Sequence, residues 1–301
     1  MKNRFIKNLT NKQPTKDITS DDLKYKIPLI TSKKNIEVKI DKKTVFNNES
    51  IPIIAGPNGV ESRELIFKVG KLLKKNKIRI LRGHAFKPLT FPYRSDKYTE
   101  TRERGIEWLG EAKERYSLPV ITEVMEERFL PLISDVADIL QIGTRNMQNF
   151  PLLTACAKTG KPVMLKRHFG CSLRDWLGAA EYILCEGNSQ VLLCERGVAV
   201  PHTHRDSSRF LLDLQVVPAA HEITHLPIIV DPSHATFWEP WVKPMALASI
   251  ACGADGIMVE THPDPKNAAV DSLQPMTLEA FDKLMLKMEK VARAVDRKVC
   301  Q

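Results

Sequence analysis

Eight short apolar runs of four to six residues punctuate the chain from residue 51 onward, and every stretch between them carries helical periodicity. The runs are Ile51–Ala55, Ile78–Leu81, Pro119–Val124, Ile139–Ile142, Pro162–Leu165, Val191–Cys194, Pro227–Val230 and Gly256–Val259. Runs this short, bounded by charge, suit strands buried on both faces. The helical stretches are 62–76, 102–116, 128–137, 149–159, 173–186, 210–224, 244–252 and 277–295. In the first of them Leu65, Ile66, Val69, Leu72 and Leu73 share one face. Strand and helix therefore alternate eight times over about 245 residues, the count and length of an α/β (β/α)8 barrel, the TIM-barrel architecture. A doubly wound sheet would carry an early GxGxxG turn, and the first turn here reads AGPNGVES instead. The expected division is a basic arm with a short β-hairpin over residues 1–50 and one barrel over 51–301, with the hairpin turning at Asp41–Lys43.

Charge bears mainly on the arm. The formal net charge is +9, and residues 1–43 hold 12 Lys+Arg against 5 Asp+Glu. No aromatic residues interleave these cations as a single-strand nucleic-acid platform needs, so neither nucleic acid nor membrane is an expected partner. Residues 1–22 read as disordered or loosely attached. No apolar run approaches the roughly 18–20 residues that span a bilayer. The six cysteines show no CxxC spacing and read as reduced thiols in a cytoplasm, with Cys156, Cys185 and Cys252 as small core residues.

In a β/α barrel the C-terminal strand ends face the reaction site. Here each end is polar. In strand order they give Asn58; Arg82 and Lys87; Glu123; Arg145; Lys166 and Arg167; Glu195 and Arg196; Asp231 and His234; Glu260 and His262. Charges placed inside a protein need partners. Arg82, Lys87, Arg145, Lys166 and Arg196 outnumber the nearby acids and come from four strands. They are expected to converge on a small polyanion such as a phosphorylated carboxylic acid, for which arginine forks are suited. Internal ion pairs to Glu123, Glu195 and Asp231 are the competing reading. At the other pole His234, Glu260 and Asp271 offer an imidazole and two carboxylates to a divalent metal of the Mn, Fe, Co or Zn type, and hydrogen-bonded loop residues are the alternative. No organic cofactor is expected.

The motifs AGPNGVES, LRGHAFKPLTFPY, TEVM, ADILQIGTRNMQN, LKRHFG, CERG, VDPSHAT and MVETHPDP resemble, in order, spacing and identity, those of the type Iβ 3-deoxy-D-arabino-heptulosonate 7-phosphate (DAHP) synthases. The likeness covers about residues 50–290. It implies a β/α barrel, commonly a homo-oligomer, that condenses phosphoenolpyruvate with the aldose phosphate erythrose 4-phosphate on the route to chorismate and the aromatic amino acids. The family is related to the 3-deoxy-octulosonate 8-phosphate synthases. The likeness implies phosphoenolpyruvate contacts at Arg82, Lys87, Arg145, Lys166 and Arg196, and metal ligands at Asn58, His234, Glu260 and Asp271. Catalytic work would fall to Lys87 as proton donor and to Glu123, Asp231 or His234 at the attacking water. Residues 1–50 are too short for the regulatory domain that some members carry, so feedback control by such a domain is not expected.

Two departures stand out. Asn58 replaces the family's cysteine ligand, and an amide oxygen binds a soft metal more weakly than a thiolate does. In the octulosonate synthases asparagine at this position accompanies metal-independent catalysis. Leu89 replaces an arginine that grips the sugar phosphate, a contact worth about 1.5–3 kcal/mol. Arg94, or His84 where the family has glycine, would have to compensate. Otherwise the aldehyde differs, a reading to which the bulky Phe91, Trp238 and Trp241 also lend themselves. The alternatives are thus a paralogue acting on another aldehyde and a non-catalytic phosphoenolpyruvate-binding barrel.

Overall fold

The computed structural model describes residues 26–32, 37–47, 49–87, 100–201, 204 and 210–300. Eight parallel strands close into a barrel: β4 (Ile53–Gly56), β5 (Ile80–Arg82), β6 (Val120–Glu123), β7 (Ile139–Ile142), β8 (Val163–Lys166), β9 (Val191–Glu195), β10 (Ile228–Val230) and β11 (Gly256–Glu260), with β11 pairing back onto β4. The alternation read from the sequence is the observed architecture. Most helices also fall where their periodicity placed them, among them Arg63–Lys75, Arg102–Tyr116, Phe150–Lys158, Leu173–Cys185 and Leu278–Ala294. Their starts are chemically marked. Ser62 and Thr277 accept the N–H groups of Leu65 and Ala280, and Ser172 with Asp175 forms a capping box.

Four elements differ from expectation. Ile51 leaves the first barrel run and lies in a separate strand, β3 (Ser50–Ile51), parallel to the C-terminal β12 (Lys298–Val299). The helix expected from Phe210 begins only at Val216, because Leu211 is held in a two-way backbone bridge to Val198. The helix expected from Pro244 starts earlier, at Glu239, and contains that proline. A further short helix, Pro232–Thr236, was not anticipated. Cys185, read as a core residue, is exposed; Cys156 is fully buried and Cys252 partly so.

Period-two alternation sorts each strand into two faces. Ile53, Leu81, Val120, Leu140, Val163, Leu193, Ile228 and Ile257 point to the helices and join the outer core. Ile54, Ile80, Ile121, Ile139, Met164, Leu192, Ile229 and Met258 form a second cluster inside the barrel. Its floor comes from elsewhere in the chain. A hairpin pairs β1 (Val38–Lys39) with β2 (Val45–Phe46), and Val38 and Phe46 are fully buried in the interior cluster. The turn is set by Asp41, whose Oδ1 accepts the N–H groups of Lys43 and Thr44 at 2.7 and 2.6 Å. The expectation for residues 1–22 lies outside the described residues.

Candidate active site

Two residues beyond each inward apolar side chain the same face repeats, one layer nearer the C-terminal mouth. Counting from Ile80, Ile121, Ile139, Met164, Ile229 and Met258 gives Arg82, Glu123, Gln141, Lys166, Asp231 and Glu260. All six are buried, although none is apolar. Ile54 leads instead to Gly56, where any Cβ would meet the Arg82 carbonyl oxygen at 2.0 Å. A polar layer thus rests directly on the apolar plug.

Arg82 is its hub. Its Nη2 donates to Asn58 Oδ1 at 2.7 Å and lies 3.3 Å from His234 Nε2, while Nη1 stands 3.6 Å from Glu260 Oε2. Its Nε meets His84 Nε2 at 3.2 Å. The His84 ring is fully buried and also takes the Glu123 backbone N–H on Nδ1 at 3.1 Å. Burial first, then Arg82, Lys87, Lys166 and His234, hold His84 well below the usual imidazole range. The ring is therefore neutral, and its single in-plane lone pair is contested by three N–H groups, those of Arg82, Glu123 and Gln141. It brings no charge with which to replace an arginine on a sugar phosphate. Burial likewise lowers Lys87, helped by Arg82 and opposed by Glu123, Asp271 and Glu260. Arg82, Lys87 and Lys166 accordingly share one electrostatic neighbourhood.

The Asp231–Pro232 step explains the second group. Asp231 caps the short helix, accepting the His234 N–H at 3.1 Å, and Pro232 fits the first turn. This brings His234 Nδ1 to 2.9 Å from Asp231 Oδ2, which also pairs with Lys166 Nζ at 2.6 Å. Burial would raise the Asp231 carboxyl, yet His234, Lys166 and Arg82 outweigh it and keep it ionised. His234 is held neutral by burial and by the charges of Lys166 and Arg82, against the pull of Asp231. Glu260 is pushed up to about 7 by burial and by Asp271, against Arg82 and the Gln274 amide, which donates to its Oε2 at 2.6 Å.

The other candidates sit at further strand ends and on the loops that follow them. Arg196 is buried at the end of β9, with its guanidinium over the Phe210 ring. Arg145 is exposed on a 3-10 turn. Arg167 and Glu195 pair with each other at 3.0 Å, and Arg167 also meets Asp213 at 2.8 Å. His262 turns away, 3.5 Å from Glu61. Trp238 and Trp241 are half-buried beside the rim. Leu89, Phe91 and Arg94 lie outside the described residues. Sequence reasoning passed over Gln141 and Gln274. For Gln141 a signal existed: a lone amide in the buried run ILQI, two residues after the inward Ile139. Gln141 Nε2 donates to Glu123 Oε2 at 3.1 Å.

The four expected metal ligands are already engaged with one another and with Arg82. Asn58 Nδ2 donates to Asp271 Oδ2 at 2.7 Å, and Asn58 Oδ1 accepts from Arg82. His234 and Glu260 both face the same guanidinium. A side-chain cation thus stands among these donors. Among the described residues no three His, Cys, Asp or Glu side chains gather in a metal-holding group. So arranged, with an amide where a thiolate is expected, the set does not fit a soft divalent metal.

Residues 35–297 match the family model described as the DAHP synthetase I family. The sequence is 42% identical over 254 residues to a Thermotoga maritima protein named phospho-2-dehydro-3-deoxyheptonate aldolase, covering 84% of this chain and 73% of that one. It is 28% identical over 275 residues to 2-dehydro-3-deoxyphosphooctonate aldolase 1 of Arabidopsis thaliana, covering 82% and 90%. The fold superposes on the crystal structure of the Thermotoga maritima enzyme with a TM-score of 0.83 at 39% identity, over 89% of this chain and 76% of that one. Against a truncated form of 3-deoxy-D-arabino-heptulosonate 7-phosphate synthase from the same organism the TM-score is 0.82 at 37% identity, over 91% and 99%.

Proposed function

The chain belongs to the DAHP synthetase I family, and from that premise we propose that it joins phosphoenolpyruvate to erythrose 4-phosphate, releasing inorganic phosphate. It is a transferase acting on two small anionic molecules. The observation that carries this reading is the buried polar layer, in which Arg82, Lys87 and Lys166 lie close enough to depress the basicity of His84 between them. Cations that repel one another favour a bound anion, and a phospho-acid offers them two anionic groups.

In this reading Arg82, Lys87, Arg145, Lys166 and Arg196 hold the phosphate and carboxylate. Carbon 3 of the enol attacks the aldehyde carbon, and Lys87, whose ammonium burial has made more acidic, gives a proton to the new alkoxide. Water adds at carbon 2 and loses its proton to the neutral His234, oriented by the ionised Asp231, with Glu123 ordering the water. The bond between carbon 2 and the phosphate oxygen then breaks, and phosphate leaves. Holding both reactants in one closed layer supplies much of the rate. No step is assigned to a metal, because Arg82 stands among the expected ligands.

The test is an assay of phosphate release and heptulosonate phosphate formation from phosphoenolpyruvate with a panel of aldehydes, before and after EDTA treatment and with metal added back. Erythrose 4-phosphate is the expected acceptor, and activity is expected to survive chelation. A wide preference for another aldehyde would identify a paralogue, the reading that Leu89 favours. Phosphoenolpyruvate binding without phosphate release for any aldehyde would leave only a binding barrel.

A further inference from the structure

Glu123 and Gln141 are direct partners across the parallel strands β6 and β7. Each follows an inward apolar residue by two, Ile121 and Ile139, so both side chains stand side by side in the buried polar layer. The Gln141 amide nitrogen donates to Glu123 Oε2 at 3.1 Å and faces His84 Nε2 at 3.3 Å. A carboxylate only accepts, so this contact fixes which end of the amide is nitrogen. His84 Nδ1 takes the Glu123 backbone N–H at 3.1 Å, which holds the same residue by its main chain.

Gly143 completes the enclosure. It lies one residue past the end of β7, with a φ of −68° and a ψ of 159°, extended backbone that any residue adopts. Conformation therefore does not call for glycine there. Space does: a Cβ on Gly143 would lie 1.8 Å from Glu123 Oε1 and 2.8 Å from the carboxyl carbon. The carboxylate occupies the room that a side chain would take. One oxygen of Glu123 is thus tied to an amide and the other is lodged against backbone, a fixed orientation for a side chain otherwise free to turn about several bonds.

We propose that Gln141 and Gly143 are positioning residues for Glu123: together they hold its carboxylate in one place and one plane, so that the water adding to carbon 2 meets an acceptor already ordered. This rests on the reading of Glu123 as the group that orders that water, and deepens it. Gln141 acts through its N–H, and Gly143 through the volume it leaves to the carboxylate.

The test measures kcat and the phosphoenolpyruvate KM by phosphate release, with whichever aldehyde of the panel reacts fastest, and the melting temperature. The variants are Gln141→Met, Gly143→Ala, Glu123→Gln and the double variant Gln141→Met with Glu123→Gln. Gln141→Met keeps the length of the side chain and removes the amide N–H. Gly143→Ala adds one methyl group where Oε1 lies and forces the carboxylate to move. Each is expected to lower kcat about tenfold or more, within the hundredfold that a displacement of about 1 Å can cost, with little change in KM. In the Glu123→Gln background Gln141→Met should add little, because the carboxylate through which it acts is gone. A merely structural role predicts instead a lowered melting temperature and the same loss in both backgrounds. Unchanged kcat in Gln141→Met and in Gly143→Ala, beside a large loss in Glu123→Gln, would overturn the inference and leave Glu123 in the mechanism. Unchanged kcat in Glu123→Gln would remove Glu123 from the mechanism and the proposal with it. An unaltered protein that releases no phosphate with any aldehyde would end both. Should Gln141→Met fail to fold, Gln141→Leu carries the same expectation.

Discussion

The two ends of the barrel bury charge for opposite reasons. At the N-terminal end Asp255 accepts the Ile228 N–H at 2.8 Å, sits 2.7 Å from His221 Nε2 and pairs with Arg297 at 3.3 Å. Arg297 also donates to the carbonyl oxygens of Ala254 and Asn47, which ties the C-terminal segment to the hairpin. Burial alone would raise the Asp255 carboxyl, and His221 and Arg297 more than reverse that. Every interaction named there is attractive. At the C-terminal end Arg82, Lys87, Lys166 and His234 all lower the basicity of His84. One end uses buried charge to hold the chain together. The other pairs Lys166 with Asp231 and sets Arg82 beside Glu260, yet also holds like charges near one another at a cost to stability that an anion would offset.

Substitutions can break that contrast. The largest effect expected is on turnover: Lys87→Ala should lower kcat about a hundredfold or more, the span of a lost general acid, while circular dichroism and the melting temperature show an intact fold. Near-normal turnover would take Lys87 out of the chemistry. At the other end Asp255→Ala should lower stability by about 3–5 kcal/mol, as removal of one partner from a buried ion pair does. Urea denaturation measures this, and activity per folded molecule should hold. If activity fell while stability held, the division of labour between the ends would be wrong.

A third test uses the ligand. Phosphoenolpyruvate at a hundred times its dissociation constant should stabilise the protein by about 2.7 kcal/mol. Arg82→Gln should lose most of this at the same concentration, whereas Arg297→Gln should keep it. A fourth test concerns pH dependence, and its sign differs between the ends. Glu260 at about 7 binds a proton in the folded protein that the unfolded chain, with an ordinary carboxylate near 4.5, has already released. Its contribution is therefore full below the unfolded value and is lost as pH rises through about 7, by up to about 1.4 kcal/mol per pH unit. Asp255 works the other way. Its stabilisation is present above the unfolded value of 3.8 and is lost as pH falls through its lowered folded value. Glu260→Gln should flatten the stability profile between pH 4.5 and 7 and leave the acid limb unchanged; a profile unaltered in that window would show that Glu260 is an ordinary carboxylate.

The barrel was legible because short buried apolar runs and stretches of 3.6 period alternate eight times over a length that suits eight strands and eight helices. The hairpin was legible because an Asx turn at Asp41 sits inside an alternating stretch. The buried polar layer was legible at strand ends, where polarity interrupts an apolar run. Which strand-end charges pair privately was not. Arg167 follows a buried run as the other strand-end cations do, yet it is joined to Glu195 and Asp213 through contacts between distant segments. Gln274 was hidden for a related reason: it reaches Glu260 from a loop whose path depends on Asp271 adopting a φ of +54°, which no local pattern announces. The late start of the helix after Phe210 has the same origin, since a backbone bridge to Val198 overrides local periodicity.

Val38 and Phe46, fully buried in the interior cluster, stopper the barrel from below the polar layer. On the proposed function both reactants would then approach from the side of the C-terminal strand ends, so a fixed order of arrival is the expected outcome, and product-inhibition kinetics check it.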